Sequence, residues 1–135
     1  MSHIKPTREQ IMRLVESKDD GPVVMLNLLR FTEHASGDAS RSGADSYETY
    51  GDQMRTIMAE RGIKLLWRGR TDSVIIGDDD GDDWDMVLLV EYPSRKVFLE
   101  MGASKDYEKV GEHRTAALAD SRLIACTEQY RARPS

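Results

Sequence analysis

The stretch VVMLNLLRF, residues 23–31, is nine residues of strand composition with a carboxamide at its centre. Alternation puts Val23, Met25, Asn27, Leu29 and Phe31 on one face, and Val24, Leu26, Leu28 and Arg30 on the other. Both faces are apolar, which marks a strand covered on both sides. Asn27 is then the anomaly, because a buried amide without a partner costs about 1–3 kcal/mol. Two kinds of partner suit it: neighbouring backbone or a trapped water, or the polar group of a ligand held between helices and sheet.

Working outward, Thr7-Arg8-Glu9-Gln10 forms a capping box ahead of Ile11, Leu14 and Val15. This predicts an N-terminal helix over 7–18, stopped by Asp19-Asp20-Gly21-Pro22. After the strand, residues 32–44 are small and polar and read as a flexible loop. Tyr47, Tyr50, Gly51, Met54, Ile57 and Met58 then recur at helical spacing over 45–61, and Gly62 supplies the stop. Extended runs at 63–69 and 71–77 suggest one bent strand, and an Asp-rich turn leads to another strand at 84–92. A helix begins at Pro93-Ser94, breaks near Met101-Gly102 and resumes over 104–119. The last strand is expected at 122–129, with a tail at 130–135.

After the first helix the order is β-α-β-β-α-β. The two long helices repeat weakly, as Y-x-x-Y-G-x-x-M at 47–54 and Y-x-x-V-G-x-x-R at 107–114. These features specify an α+β ferredoxin-like sandwich with an extra N-terminal helix, a single domain over 1–135. Right-handed crossovers place both helices on one sheet face. The opposite face, equally apolar, calls for cover by a second copy, hence a homodimer.

The composition, 39% hydrophobic and 32% charged, is that of a globular protein. No apolar run approaches a membrane span and no secretory h-region opens the chain, so a cytoplasmic location is expected. One cysteine, Cys126, excludes an intrachain disulfide and a Cys-based zinc site. The net charge of −5 is local, because six aspartates lie in 78–85. The remainder is balanced and has no basic stripe, which excludes nucleic acid as a partner. The acidic turn fails the calcium-loop spacing, since Gly81 as position 6 puts Ile76 and Val87 where ligands belong. Phosphate loop, nucleophile elbow and HExxH are absent, and three scattered histidines predict no metal and no cofactor.

Three further residues stand out. Arg114 falls within the apolar stripe of Tyr107, Val110, Gly111, Ala117 and Leu118, where the first long helix has Met54. A guanidinium stays charged, so it must pair with Glu91, snorkel to water, or meet an anionic ligand. His113 flanks that stripe as a half-buried residue or a general base. Trp67 shares its expected strand face with Ile63 and Leu65 and reads as core.

GPVVMLNLLRF, the YETYG helix, and the run from VEYPSRKVFLEM through SKDYEKVGEHRTAALADSRLIA resemble the domain of unknown function family 1330. That family lies in the dimeric α/β-barrel superfamily. The resemblance implies a ferredoxin-like protomer whose sheet pairs with a second sheet. The superfamily includes cofactor-free monooxygenases, lactone isomerases, haem-degrading monooxygenases and ligand-binding regulatory modules. Its haem-degrading members use an Asn on the first strand with a Trp and a His on the second long helix. Asn27 matches the first and His113 loosely the third, but Met101 stands where the Trp is expected.

The resulting expectation is a small-molecule-binding homodimer, a cofactor-independent monooxygenase or isomerase acting on a small anionic organic compound. Asn27 and Arg114 would supply polar contacts, Tyr50 and Trp67 apolar walls, and His113 a proton acceptor. The alternatives are a non-catalytic dimerisation or ligand-sensing module, and a haem-binding monooxygenase.

Overall fold

The computed structural model of the protein describes residues 2–133, so the last two residues of the expected tail lie outside the described residues. The elements are α1 (Arg8–Glu16), β1 (Val23–Phe31), α2 (Gly43–Arg61), β2 (Lys64–Arg70), β3 (Met86–Tyr92), α3 (Arg95–Gly102), α4 (Lys105–Ala117) and β4 (Leu118–Cys126). Four antiparallel strands pair in the order β2-β3-β1-β4, the ferredoxin-like arrangement. Both halves of the capping box form, with the Thr7 hydroxyl accepting from the Gln10 amide at 3.2 Å and the Gln10 side chain accepting from the Thr7 amide at 2.8 Å.

The helices cover one face of the sheet. Val23, Met25, Met54, Ile57, Ile63, Tyr92 and Met101 form one buried cluster, and Leu29, Tyr47, Leu88, Ala117 and Leu118 a second. Each fully buried aliphatic or aromatic side chain contributes roughly 1.5–3 kcal/mol. The face alternation expected of β1 is therefore the observed one, with Val23, Met25 and Leu29 beneath the helices.

Several expectations need correction. The run 71–77 is not a strand. β2 ends where Arg70 pairs with Met86, and after one further backbone bond, from the Thr71 amide to the Asp85 carbonyl at 3.2 Å, the chain leaves the sheet. Ile75 and Ile76 accordingly stand 86% and 96% exposed. Trp67 is not core. The register shifts between Leu65 and Trp67, so Trp67 pairs with Leu89 on the face away from the helices and is 55% exposed. Such a bulge reverses every later side chain of its strand. β4 begins at Leu118, four residues before its expected start, because Phe31 pairs with Leu118 across the irregularity at Arg30/Phe31.

The connection 32–44, expected to be flexible, is tied to the end of α4. Thr32 and Ser36 donate backbone N–H groups to Ala117 and Ala116 at 2.8 and 3.0 Å, and Gly43 donates to Thr32 at 3.1 Å. Gly51, in the middle of α2, has nothing within 4 Å of where a Cβ would stand. Gly51→Ala should therefore raise stability by about 0.5–1 kcal/mol through helix propensity alone, a rise of a few degrees in Tm. Calorimetry showing no rise would mean that the position is more crowded than described.

Candidate functional site

α2 and α4 leave the helix side of β4 incompletely covered, and Leu123 there is 44% exposed. The space is a cleft of about 1470 Å³ bounded by β1, β4, α3 and α4 on one side and by α1 with residues 3–6 on the other. Of the five residues singled out in the sequence, Asn27, Tyr50 and Arg114 line it, whereas Trp67 and His113 do not. Trp67 lies on the far face of the sheet. His113 is half-buried on α4, and its backbone carbonyl accepts from the Ser46 hydroxyl at 3.0 Å. The histidine expected as base or haem ligand is thus not part of the cleft.

Asn27 pairs with Leu88 and Leu123 on the helix side of the sheet. Its Nδ2 donates to the carbonyl of Met25 at 3.2 Å, and its Oδ1 accepts nothing among the described residues. The backbone partner expected for this amide therefore satisfies only half of it.

Arg114 does not pair with Glu91. Glu91 pairs with Val24 on the face away from the helices, where Arg131 holds it at 2.6 Å. The sheet itself separates the two. Arg114 Nη1 donates instead to the carbonyl of Ile4 at 2.8 Å, and among the described residues no carboxylate lies within ion-pairing distance. A guanidinium whose hydrogen-bond partner is a neutral carbonyl retains most of its attraction for an anion.

That contact also anchors the N-terminal segment. His3 donates its amide to Asp120 Oδ1 at 2.8 Å, the Ser121 hydroxyl donates to the His3 carbonyl, and Ile4 packs against the second core cluster. Residues 3–6 therefore lie along β4 as one wall of the cleft.

Tyr107 completes the floor. Its hydroxyl lies 3.2 Å from that of Tyr50, and the two rings meet edge-on with centroids 6.2 Å apart. Gly111 makes this possible, because a Cβ there would stand 2.8 Å from Tyr107 Cε1. The ring lies back across the glycine, one turn along α4. Periodicity in the sequence marked Tyr107 as the counterpart of Tyr47; nothing in it pointed to a hydroxyl pair with Tyr50.

Burial pushes the Tyr47 phenol up to about 12. Burial likewise raises Tyr50 and Tyr92, and at all three the positive charge of Arg114 acts in the opposite direction. These phenols are hydrogen-bond donors at neutral pH. A phenol raised in the folded state stabilises the protein fully below its unfolded value near 10, and that stability disappears as pH rises through the folded value. For Tyr47 alone the loss is about 2–3 kcal/mol. Alkaline titration should show tyrosinate absorbance from the buried phenols appearing together with loss of the fold above pH about 10. A smooth titration near the ordinary tyrosine value, with no unfolding, would contradict this packing.

Among the described residues no three His, Cys, Asp or Glu side chains come together as a metal site requires. No helix there is long and apolar enough to cross a membrane.

The sequence profile of a domain of unknown function (DUF1330) matches residues 39–127. A crystal structure of RPA0582, a protein of unknown function from Rhodopseudomonas palustris, is 34% identical, with a TM-score of 0.90 over 97% of this chain and 100% of that one. A dimeric ferredoxin-like protein of unknown function from Bacteroides fragilis is 11% identical with a TM-score of 0.54, over 78% of this chain and 95% of that one. The hydroxynitrile lyase of Passiflora edulis is 12% identical with a TM-score of 0.56, over 84% and 100%. The last two share the fold alone. No curated protein matches the sequence.

Proposed function

The chain belongs to the domain of unknown function family 1330 (DUF1330), and we propose that it binds a small, partly apolar, anionic organic compound in the cleft between its helices and its sheet. The observation that carries this reading is Arg114, a guanidinium on the wall of a largely apolar cleft with the Ile4 carbonyl as its partner and no carboxylate paired to it among the described residues. Met25, Phe98 and Met101 supply apolar surface, and Asn27, Tyr50 and Tyr107 supply further polar contacts. Guanidinium, phenol and carboxamide form a donor set suited to stabilising an oxyanion. The chemistry this supports is binding and charge stabilisation of an anionic oxygen, as an isomerase or a cofactor-independent monooxygenase requires. The lyase among the fold neighbours is an enzyme of this fold that acts on small molecules.

Calorimetric titration with a series of aliphatic and aromatic monocarboxylates tests the reading. The wild type should bind at least one class, and Arg114→Met should weaken it about 10- to 100-fold, the worth of a charge-assisted hydrogen bond. Because methionine occupies the matching position of α2, the variant should fold. Unchanged binding in Arg114→Met would dispose of the proposal.

The second element of the proposal is a homodimer, closed as a dimeric α/β barrel through the face of the sheet away from the helices. Leu26, Leu28, Val87 and Leu89 form the centre of that face, with Trp67 and Ile124 exposed beside them. At one end Arg30 and Arg122 lie 4.7 and 5.1 Å from the centre of the Trp84 ring, and Asp83 and Asp120 pair with the two arginines. A patch carrying both charge signs at its edge and an apolar centre is complementary to its own two-fold copy. The dimeric neighbour from Bacteroides fragilis supports the same reading.

A further inference from the structure

Two hydrogen-bonding groups of the cleft are used only in part. Tyr50 and Tyr107 share one proton across 3.2 Å, so whichever hydroxyl donates, the other keeps a proton with no acceptor among the described residues. Asn27 gives one Nδ2 hydrogen to the Met25 carbonyl and leaves its second Nδ2 hydrogen and its Oδ1 without partners among the described residues. A spare phenol donor, and a carboxamide with an acceptor and a second donor to spare, therefore face the same cleft as Arg114.

The three groups are close along the chain's own geometry. Tyr50 and Tyr107 pack against the cluster that contains Met25, and Asn27 is the next residue on that face of β1, roughly 7 Å further on. On α4, Tyr107 and Arg114 are two turns apart on one face, about 10 Å along the axis. The Tyr107 ring fills the space over Gly111 between them, and the Arg114 charge is near enough to act on the Tyr50 phenol.

A hydroxyl is the simple group that both accepts from a phenol and donates to a carboxamide oxygen. We infer that the ligand is a hydroxycarboxylate, with its carboxylate on Arg114 and its hydroxyl between the Tyr50–Tyr107 pair and Asn27. The inference rests on the anion-binding reading of the cleft and narrows it to a substrate class. A ligand without the hydroxyl would bury both half-used groups unpaired, and sites built around a hydroxyl reject analogues lacking it.

Paired acids provide the test: mandelate against phenylacetate, and 3-hydroxybutyrate against butyrate, titrated calorimetrically into wild type, Asn27→Leu, Gly111→Ala and Arg114→Met. In the wild type the hydroxy acid of a pair should bind at least about tenfold more tightly. Asn27→Leu should reduce that preference to about twofold or less, weakening the hydroxy acid more than the deoxy acid. Gly111→Ala, which displaces the Tyr107 ring but keeps Asn27 and Arg114, should erode the preference in the same way and covers the case of an Asn27 variant that does not fold. Arg114→Met should weaken both acids of a pair equally. Equal affinities within both pairs in the wild type, or a preference that survives both Asn27→Leu and Gly111→Ala, would overturn the hydroxy-acid assignment and leave anion binding standing. If no acid binds the wild type, the anion-binding reading fails and this inference fails with it.

Discussion

Gly43→Ala is expected to destabilise the fold by about 3 kcal/mol, at the upper end of what overpacking costs. Gly43 opens α2, and a Cβ there would stand 2.6 Å from the carbonyl oxygen of Ala117 and closer still to that of Thr32. Neither oxygen is free to retreat. The Thr32 carbonyl accepts from the Gly43 amide itself at 3.1 Å, and the Ala117 carbonyl accepts from the Thr32 amide at 2.8 Å. Moving either would unpair backbone groups that burial leaves without water. Urea unfolding should show a lower midpoint with an unchanged slope. Gly51→Ala is the control, since the same substitution in the same helix should shift the midpoint the other way. If the two variants moved in the same direction, the described docking of 32–44 against α4 would be wrong.

The second large effect is on assembly. In the proposed dimer Trp67 is the exposed aromatic of the apolar sheet face, and its ring lies across Gly69, two residues along the same strand face. Tryptophans in such positions are the usual energetic centres of interfaces, at about 2–4 kcal/mol each. Trp67→Lys removes that area in both protomers and introduces a charge twice, because a two-fold interface repeats every change. Dimer affinity should fall on the order of a thousandfold, about 4 kcal/mol. Native mass spectrometry at micromolar concentration should then show a wild-type species of twice 15.3 kDa and a variant of 15.3 kDa. Within the protomer the lysine stem can still lie over Gly69, so the circular dichroism should be unchanged. A variant that remains dimeric would place the interface elsewhere.

The architecture was largely legible in the sequence. The alternation of 23–31, the capping box at Thr7–Gln10, the break at Gly102 and the β-α-β-β-α-β order each have a local cause in side-chain period, capping or turn chemistry. Of the five nominated residues three line the cleft, and two of these, Asn27 and Arg114, stand out in the sequence for a related reason. A polar group on an otherwise apolar stripe is an anomaly visible in one dimension. Trp67 was misassigned because its face depends on a bulge, and a bulge is set by how two strands match when they meet. His113 sits on the correct helix, but whether a flanking residue faces the cleft depends on how α4 rolls against α2.

By itself, then, the sequence determined the elements, their order and the polar anomalies, because propensity, capping and periodicity act over a few residues. Only the tertiary structure decided that Arg114 meets the carbonyl of Ile4 across 110 residues of chain, that Glu91 lies beyond the sheet from it, and that the Tyr50 and Tyr107 hydroxyls meet in the cleft that Asn27 also lines. Those relations follow from register and helix roll, which are fixed when whole faces pack together and the burial of one face excludes every other alignment.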